Sequence, residues 1–148
     1  MIDEVLALYQ QVILDHNRTP RNFRVIEGGR RAHGDNPLCG DRLTVYVKEE
    51  GGRITDASFQ GVGCAICIAS ASLMTGVVRG KTADEIDALG DRVRDIVSAA
   101  PGAPVDDPGG LSALSGVRRF PVRAKCALLP WRTLHAAIRD PNVVSSTE

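Results

Sequence analysis

The sequence has no excess of charge of either sign, because 18 lysine and arginine residues balance 18 aspartate and glutamate residues. Binding to nucleic acid or to an anionic membrane needs a surplus of positive charge, so we expect neither as a partner. No apolar run reaches the about 18 residues of a membrane-spanning helix. The chain opens with Asp3 and Glu4 rather than a basic segment and an apolar run, so no signal peptide is expected. These absences predict a cytoplasmic protein.

Cysteine is also scarce: the chain has four, and only Cys64 and Cys67 form a C-x-x-C pair. The second pair that a zinc ribbon would need is missing. In a reducing cytosol, a small group of cysteines more often binds metal or reacts than forms disulfides. Spacing alone leaves a metal site and a set of inert buried cysteines equally supported.

The rest of the composition is that of a globular protein, with 43% hydrophobic and 24% charged residues. Residues 43–48 alternate apolar and polar side chains and, with residues 53–60, predict an antiparallel hairpin. Thr82 and Glu85 have the spacing of a capping box at the start of a helix. Gly34 to Pro37 has the composition of a turn. Because the strands are grouped apart from the helices, the pattern predicts an α+β fold.

The length of 148 residues fits a single domain. We expect residues 1–140 to form that domain, since no internal repeat divides them. Residues 141–148 are polar and follow the last predicted helix, so they are expected to be a flexible C-terminal tail.

Three cysteines lie at boundaries between loops and predicted elements. Cys39 precedes the first hairpin strand, whereas Cys64 and Cys126 each open a predicted helix. The partial positive charge at a helix N-terminus favours thiolate and can lower a cysteine pKa below its free value of ~8.5. Asp41 follows Cys39 by two residues, so in an extended segment both side chains point the same way. Three thiolates and one carboxylate complete a tetrahedral set that Zn²⁺ accepts.

Cys67 lies one helical turn beyond Cys64, on about the same face. It could reach the metal, form a redox pair with Cys64 or fill the core. Core filling is favoured, because a residue inside a helix of small residues usually packs. The histidines are weaker candidates, and His33 would be the first substitute ligand if Asp41 did not bind.

Four ordered blocks of the chain contain patterns of uncommon residues. Residues 15–23 hold Asp-His and Pro-Arg-Asn-Phe, and residues 34–41 hold Asn-Pro-x-Cys-Gly-Asp. Residues 59–72 hold Gly-x-Gly-Cys-Ala-Ile followed by Ala-Ser-Ala-Ser, and residues 123–131 hold Arg-x-Lys-Cys-Ala-x-Leu-x-Trp. These blocks resemble those of the IscU/SufU (NifU N-terminal-like) family of iron–sulfur cluster assembly proteins. The resemblance extends over about residues 6–138 and implies a small antiparallel sheet of about three strands backed by helices.

Three features favour the SufU branch of that family. Lys125 stands where IscU-like scaffolds carry a histidine before the third cysteine. Residues 119–123 depart from the Leu-Pro-Pro-Val-Lys chaperone motif of the scaffolds, and residues 91–110 match an extra segment of SufU proteins. In one departure from the family, Cys67 stands where serine is more common.

The resemblance implies a zinc-dependent sulfur acceptor that takes persulfide sulfur from a SufS-like, pyridoxal-phosphate-dependent cysteine desulfurase. The family's zinc ligands match Cys39, Asp41, Cys64 and Cys126 in this sequence. The resemblance further implies that Cys39 is the sulfur acceptor, and that a desulfurase side chain displaces it from zinc. Arg123 is a candidate for docking or thiolate stabilisation, and Lys125 and Cys67 are further accessory candidates. The sulfur would pass to the downstream Suf assembly machinery for iron–sulfur cluster biogenesis.

Two alternatives stay open at this point. One is an IscU-type scaffold that assembles a transient [2Fe–2S] cluster in the same pocket, although clusters usually prefer four thiolates. The other is a zinc-stabilised interaction module without chemistry. The sequence leaves open whether the chain is itself an enzyme or a sulfurtransferase-like partner of the desulfurase. It also leaves open which protein receives the sulfur, what Cys67 does, and whether the chain is a monomer or a weak homo-oligomer.

Overall fold

The computed structural model of the chain describes residues 2–100, 103, 108–139 and 144–146. Over these residues the elements are, in chain order, helix α1 (Ile2–Arg18), strands β1 (Arg30–Asn36), β2 (Asp41–Glu50) and β3 (Arg53–Val62), helices α2 (Ala65–Val77) and α3 (Ala83–Ser98), 3₁₀ segments Pro108–Arg119 and Pro121–Arg123, helix α4 (Ala124–Arg139) and strand β4 (Val144–Ser146). In this part of the chain no helix is both long and apolar enough to cross a membrane.

The strands form one sheet in the order β3-β2-β1-β4. Strand β1 pairs with β2, and β2 with β3, in antiparallel directions, while β4 lies parallel to β1 at the edge. The predicted hairpin over residues 43–48 and 53–60 is confirmed, with a register shift after Lys48. The predicted α+β fold, with a three-stranded antiparallel sheet backed by helices, is confirmed as well.

The start of the sheet is where the sequence-based prediction was wrong. Gly34, Asp35 and Asn36 belong to strand β1 rather than to a turn, and the turn itself follows them at 37–40. The alternate residues of β1 are buried against helix α4, and a Cβ on Gly34 would collide with Thr133 Oγ1. The small and polar composition therefore reflects close packing of a strand on a helix.

The core lies between one face of the sheet and helices α2 and α4, which also contact each other. Val45 and Phe59 of the sheet are fully buried there, as are Met74 of α2 and Leu129 of α4. The small residues of α2 allow the close approach of α4, and the Ser70 hydroxyl donates to the Ala127 carbonyl at 2.6 Å. This packing fixes the N-terminal ends of both helices at one end of the sheet.

A polar network, which we call the α1–α2 cluster, ties the end of α1 and the following loop to α2. It consists of His16, Arg21, Asn22, Ser72 and Thr75. The Ser72 hydroxyl lies 2.7 Å from His16 Nδ1 and accepts from the Arg21 amide at 2.8 Å. Asn22 Nδ2 donates to Thr75 Oγ1 at 3.1 Å, and that hydroxyl donates to the Ser72 carbonyl at 2.9 Å. The blocks at residues 15–23 and 59–72 are thus joined in the fold.

Helix α3 and strand β4 bear on two further predictions. The capping box is confirmed: Thr82 Oγ1 accepts from the Glu85 amide at 3.2 Å, and Glu85 Oε1 accepts from the Thr82 amide at 2.9 Å.

Within the predicted tail 141–148, Val144–Ser146 pairs with residues 33–35 of β1, and the other tail residues lie outside the described part. The division into a domain over 1–140 and a tail stays a prediction.

Candidate metal centre

Three side chains from separate elements meet at one end of the sheet. Cys39 lies in the turn between β1 and β2, Asp41 is the first residue of β2, and Cys126 lies in the first turn of α4. One ligand atom from each, two sulfurs and a carboxylate oxygen, all lie within 4.8 Å of one another. The Cys39 and Cys126 sulfurs are 3.1 Å apart. The fold therefore assembles a group of ligand atoms of the types that bind Zn²⁺.

The β1–β2 connection brings Cys39 and Asp41 to this position. Asn36 pairs directly with Asp41, and the Cys39 amide donates to the Asn36 carbonyl at 3.2 Å. Gly40 adopts a φ of 70°, a left-handed conformation that glycine reaches without a steric penalty. The tight connection thus directs Asp41 inward while Cys39 stays at the outer edge.

The Asp41 carboxylate is fully buried and is held at both oxygens. Its Oδ1 accepts from the Cys64 amide at 2.7 Å, and its Oδ2 accepts from Asn36 Nδ2 at 3.2 Å. Gly63 permits this arrangement, because a Cβ there would lie 2.8 Å from Asp41 Oδ1. Two neutral N–H donors therefore orient the carboxylate.

The Cys64 thiol is the one predicted ligand outside the group of three. Cys64 is the N-cap residue of α2, and it contacts the group through its amide. Its half-buried thiol still interacts with Cys126. The structure therefore places Cys64 beside the predicted site without bringing its sulfur within the same 4.8 Å.

The state of Cys126 differs from the sequence-based expectation. A helix start was expected to lower its pKa, but burial raises the pKa of the Cys126 thiol, and hydrogen bonding with Cys39, Asp41 and Cys64 raises it further. The cause is that Cys126 is the third residue of α4 and is fully buried next to an acidic group. The grouped sulfurs and carboxylate oxygen are donor types that fit Zn²⁺, which would replace the thiol proton.

The accessory candidates lie at different depths. Arg123 is exposed, and its Nη1 lies 3.6 Å from the Cys39 sulfur. The pKa of Arg123 is raised by hydrogen bonding to Cys126 and by attraction to Cys64 and Cys39. Cys67 is fully buried in the core, and burial raises the pKa of its thiol. Lys125 is exposed on α4, and its accessory role stays a prediction.

Asn36 is a site residue that the sequence analysis did not identify. It is buried, and its Nδ2 lies 3.2 Å from Asp41 Oδ2 and 3.4 Å from the Cys126 sulfur. A usable signal was present, because Ala32, Gly34 and Asn36 alternate with polar residues as on a half-buried strand. The neighbouring Pro37 made a turn the more obvious interpretation.

Four exposed apolar side chains lie close in sequence to residues of the metal centre, and we call them the apolar rim. Leu38 (67% exposed) precedes Cys39, and Val62 (68%) ends the strand before Cys64. Phe120 (48%) and Val122 (68%) precede Arg123. All four lie within six residues of Cys39, Cys64 or Cys126 along the chain, so apolar surface is exposed on the segments that carry these cysteines.

Comparison with known proteins assigns the chain to a family. The sequence model of the NifU-like N-terminal domain matches residues 8–142. The zinc-dependent sulfurtransferase SufU of Bacillus subtilis is 38% identical over 132 residues, covering 89% of this chain and 90% of that protein. The iron–sulfur cluster assembly scaffold protein IscU of Streptococcus pyogenes is 36% identical over 132 residues, covering 89% of this chain and 83% of that protein.

A solved structure shows the same fold. A crystal structure from Fervidobacterium islandicum, described as that of an iron–sulfur cluster assembly scaffold protein for the SUF system, superimposes with a TM-score of 0.80. Its sequence is 31% identical, and the match covers 90% of this chain and 98% of that one. The chain therefore belongs to the family of NifU-like N-terminal domains, to which the IscU and SufU proteins also belong.

Proposed function

We propose that the chain is a zinc-dependent sulfur acceptor, which takes persulfide sulfur from a pyridoxal-phosphate-dependent cysteine desulfurase for iron–sulfur cluster biogenesis. One observation carries the proposal. Of the three grouped ligand residues, Asp41 and Cys126 are fully buried, whereas Cys39 is only half-buried at the outer edge. Cys39 is thus the sulfur that a second protein can reach while the other ligands stay in place.

Zinc would be held by Cys39, Asp41, Cys64 and Cys126. When bound, it stabilises the thiolate form of its cysteine ligands, which is the nucleophilic form. Arg123 adds a fixed positive charge 3.6 Å from the Cys39 sulfur, so a thiolate there stays favoured when the partner covers the site. The similarity to a protein named a zinc-dependent sulfurtransferase supports zinc over other metals.

The transfer is a thiol–persulfide exchange. The Cys39 thiolate attacks the terminal sulfur of the donor persulfide and forms a sulfur–sulfur bond to it. The bond between that sulfur and the donor cysteine breaks, and its electron pair leaves on the donor cysteine as a thiolate. Cys39 then carries the persulfide with its proton, so the exchange needs neither an oxidant nor a reductant. A SufS-like enzyme would be the donor, and the downstream Suf assembly machinery would receive the sulfur.

The apolar rim supplies the contact surface for the donor. Leu38, Val62, Phe120 and Val122 are exposed on the segments that carry the cysteines, so we expect the donor protein to contact them when its persulfide reaches Cys39. Covering exposed apolar side chains releases about 25 cal/mol per Å² of buried apolar area, which favours docking at this end of the molecule. A Val122→Asp variant should therefore require a higher concentration for half-maximal stimulation of the desulfurase. Unchanged half-saturation would place the donor elsewhere.

The direct test is Cys39→Ser, measured by desulfurase stimulation and by zinc content. Serine should abolish the stimulation of sulfide release by a cognate desulfurase, while zinc binding is weakened rather than lost, because the other ligands remain. The matched control is Cys67→Ala, which removes a buried thiol of the core and should leave stimulation intact. Full stimulation by the Cys39→Ser protein would reject Cys39 as the acceptor.

An assembly scaffold is the second candidate, because several relatives carry that name. The same three thiols and carboxylate would then hold a transient [2Fe–2S] cluster. Anaerobic purification separates the two functions: a brown protein with visible absorption indicates a scaffold, and a colourless protein with one zinc indicates sulfur transfer. A purely structural zinc module would instead keep every partner activity after its accessible thiol is alkylated.

A further inference from the structure

Asn36 is the buried polar side chain that links two of the proposed zinc ligands. Its amide nitrogen lies 3.2 Å from Asp41 Oδ2 and 3.4 Å from the Cys126 sulfur, in a residue only 1% exposed. Asp41 follows it by five residues, whereas Cys126 lies 90 residues further along the chain. One amide group therefore spans the β1–β2 connection and helix α4.

The other end of the same amide is not satisfied. Asn36 Oδ1 is buried and has no hydrogen-bond partner among the residues that the structure describes. An unpaired buried acceptor is unfavourable, so an asparagine placed only for stability would be expected to pair both ends. The N–H end, by contrast, makes two contacts, and both acceptors are candidate ligands. The arrangement favours a role for the donor end in the metal centre.

The chemistry of such a contact is well defined. An N–H donated to a carboxylate oxygen fixes the plane of that carboxylate, which sets the direction of the lone pair offered to a metal. An N–H donated to a thiolate sulfur withdraws electron density from it and weakens its donation to the metal. A residue that does both holds two ligands in place and moderates the strength of one metal–sulfur bond.

We propose that Asn36 is a positioning residue of the zinc centre, which orients the Asp41 carboxylate and donates to the Cys126 sulfur. This inference rests on the proposed zinc site, but not on sulfur transfer. Zinc loss is slowed because Asn36 holds the Asp41 carboxylate and the Cys126 sulfur in place, and the same N–H moderates the bond between that sulfur and zinc. The residue itself does not bind the metal or touch the transferred sulfur.

The first experiment measures metal release from Asn36→Leu, a variant of similar shape without hydrogen-bonding groups. Outer partners of metal ligands typically contribute about 10- to 100-fold in metal affinity, so zinc transfer to a chromophoric chelator should be faster by about that factor. With Co²⁺ in place of zinc, the sulfur-to-cobalt charge-transfer band should move to longer wavelength, because the Cys126 sulfur has lost its donor. The control is Ser58→Ala, which removes a buried hydroxyl without a partner among the described residues and should change neither quantity.

The second experiment uses the unaltered chain, so it does not depend on the folding of a variant. In protein labelled with ¹⁵N and loaded with ¹¹³Cd, the Asn36 side-chain NH₂ protons should exchange slowly with solvent and couple to the metal across the Cys126 sulfur. Asn17, which is exposed on α1, supplies the fast-exchange comparison.

The outcomes distinguish this inference from the proposed function. If wild-type protein binds zinc and Asn36→Leu releases it at the wild-type rate with an unmoved cobalt band, Asn36 is not a positioning residue. Asn36 protons that exchange as fast as those of Asn17 would lead to the same conclusion. If wild-type protein binds no zinc, the proposed zinc site fails first. If Cys39→Ser loses desulfurase stimulation but Asn36→Leu keeps the wild-type zinc release rate and cobalt band, the proposed function stands. Only the positioning role of Asn36 is then overturned.

Discussion

The metal centre and the α1–α2 cluster are both built from the uncommon residues of the sequence blocks, yet their hydrogen bonding differs. In the α1–α2 cluster, the Ser72 hydroxyl accepts from the Arg21 amide and can donate to His16 Nδ1. In the metal centre, a buried carboxylate lies beside a buried thiol, and Asn36 Oδ1 has no partner in the described part of the chain. The hydrogen bonds of the α1–α2 cluster are thus made within the cluster, whereas the metal centre groups ligand atoms that a cation could bind.

The largest effect should follow from metal removal. Chelation would remove a zinc ion that binds the folded chain far better than the unfolded chain, so the unfolding midpoint should fall. At zinc concentrations about 1,000 times the dissociation constant, the difference is about 4 kcal/mol in the free energy of unfolding. Calorimetry with and without chelator measures it. If the unfolding midpoint is the same with and without chelator, metal does not stabilise the fold.

A smaller effect is expected where the carboxylate is positioned. In Gly63→Ala the new Cβ would lie 2.8 Å from Asp41 Oδ1, so the carboxylate must move. Zinc affinity should fall by about 10-fold or more, as for other changes beside metal ligands. Competition with a chelator dye gives the affinity. The matched control is Gly76→Ala in α2, where no atom lies within 4 Å of the added Cβ, and where affinity should not change.

The α1–α2 cluster should show the opposite pattern. Ser72→Ala removes the partner of both His16 Nδ1 and the Arg21 amide, which should destabilise the fold by about 1–3 kcal/mol. Zinc affinity should stay at the wild-type value, because these contacts do not reach the centre. Denaturant unfolding and dye competition measure the two quantities, and exposed Ser98→Ala is the control. Weakened zinc binding in Ser72→Ala would show that the two regions are coupled.

The smallest expected effect is on pH dependence. Burial, together with the nearby Arg21 charge, lowers the pKa of His16 from its ordinary value of 6.5. The unfolded state therefore takes up the proton first, so the stabilisation is complete above about pH 6.5 and is lost as the pH falls through the folded pKa. His16→Gln should flatten the loss of stability between pH 7 and 5, measured on metal-free protein.

The parts of the fold that local patterns determine were predictable. The β2–β3 hairpin shows in alternating apolar residues, and the start of α3 shows in the spacing of Thr82 and Glu85. Strand β1 was not predicted, because its inward residues are small or polar and complement Thr133 on a helix some 100 residues later. Pairing of β4 with β1 likewise depends on contacts distant in sequence.

The site was predictable to a similar degree. The resemblance identified Cys39, Asp41 and Cys126, and the fold brings them together. Local reasoning about helix ends failed for Cys126, since its pKa depends on burial by the whole fold. Asn36 was missed because its partner sulfur lies 90 residues away, a separation at which neither periodicity nor turn chemistry carries information.

The direction of β4 has a practical consequence for protein engineering. Because β4 runs parallel to β1, with Val144 opposite His33 and Ser146 opposite Asp35, the strand itself advances toward the end of the sheet that holds Asn36 and Cys39. A purification tag or fluorescent protein joined directly to Ser146 would therefore start close to that end of the sheet, and a polyhistidine tag would add imidazoles that compete for metal. Fusions for functional assays are therefore better attached at the other terminus.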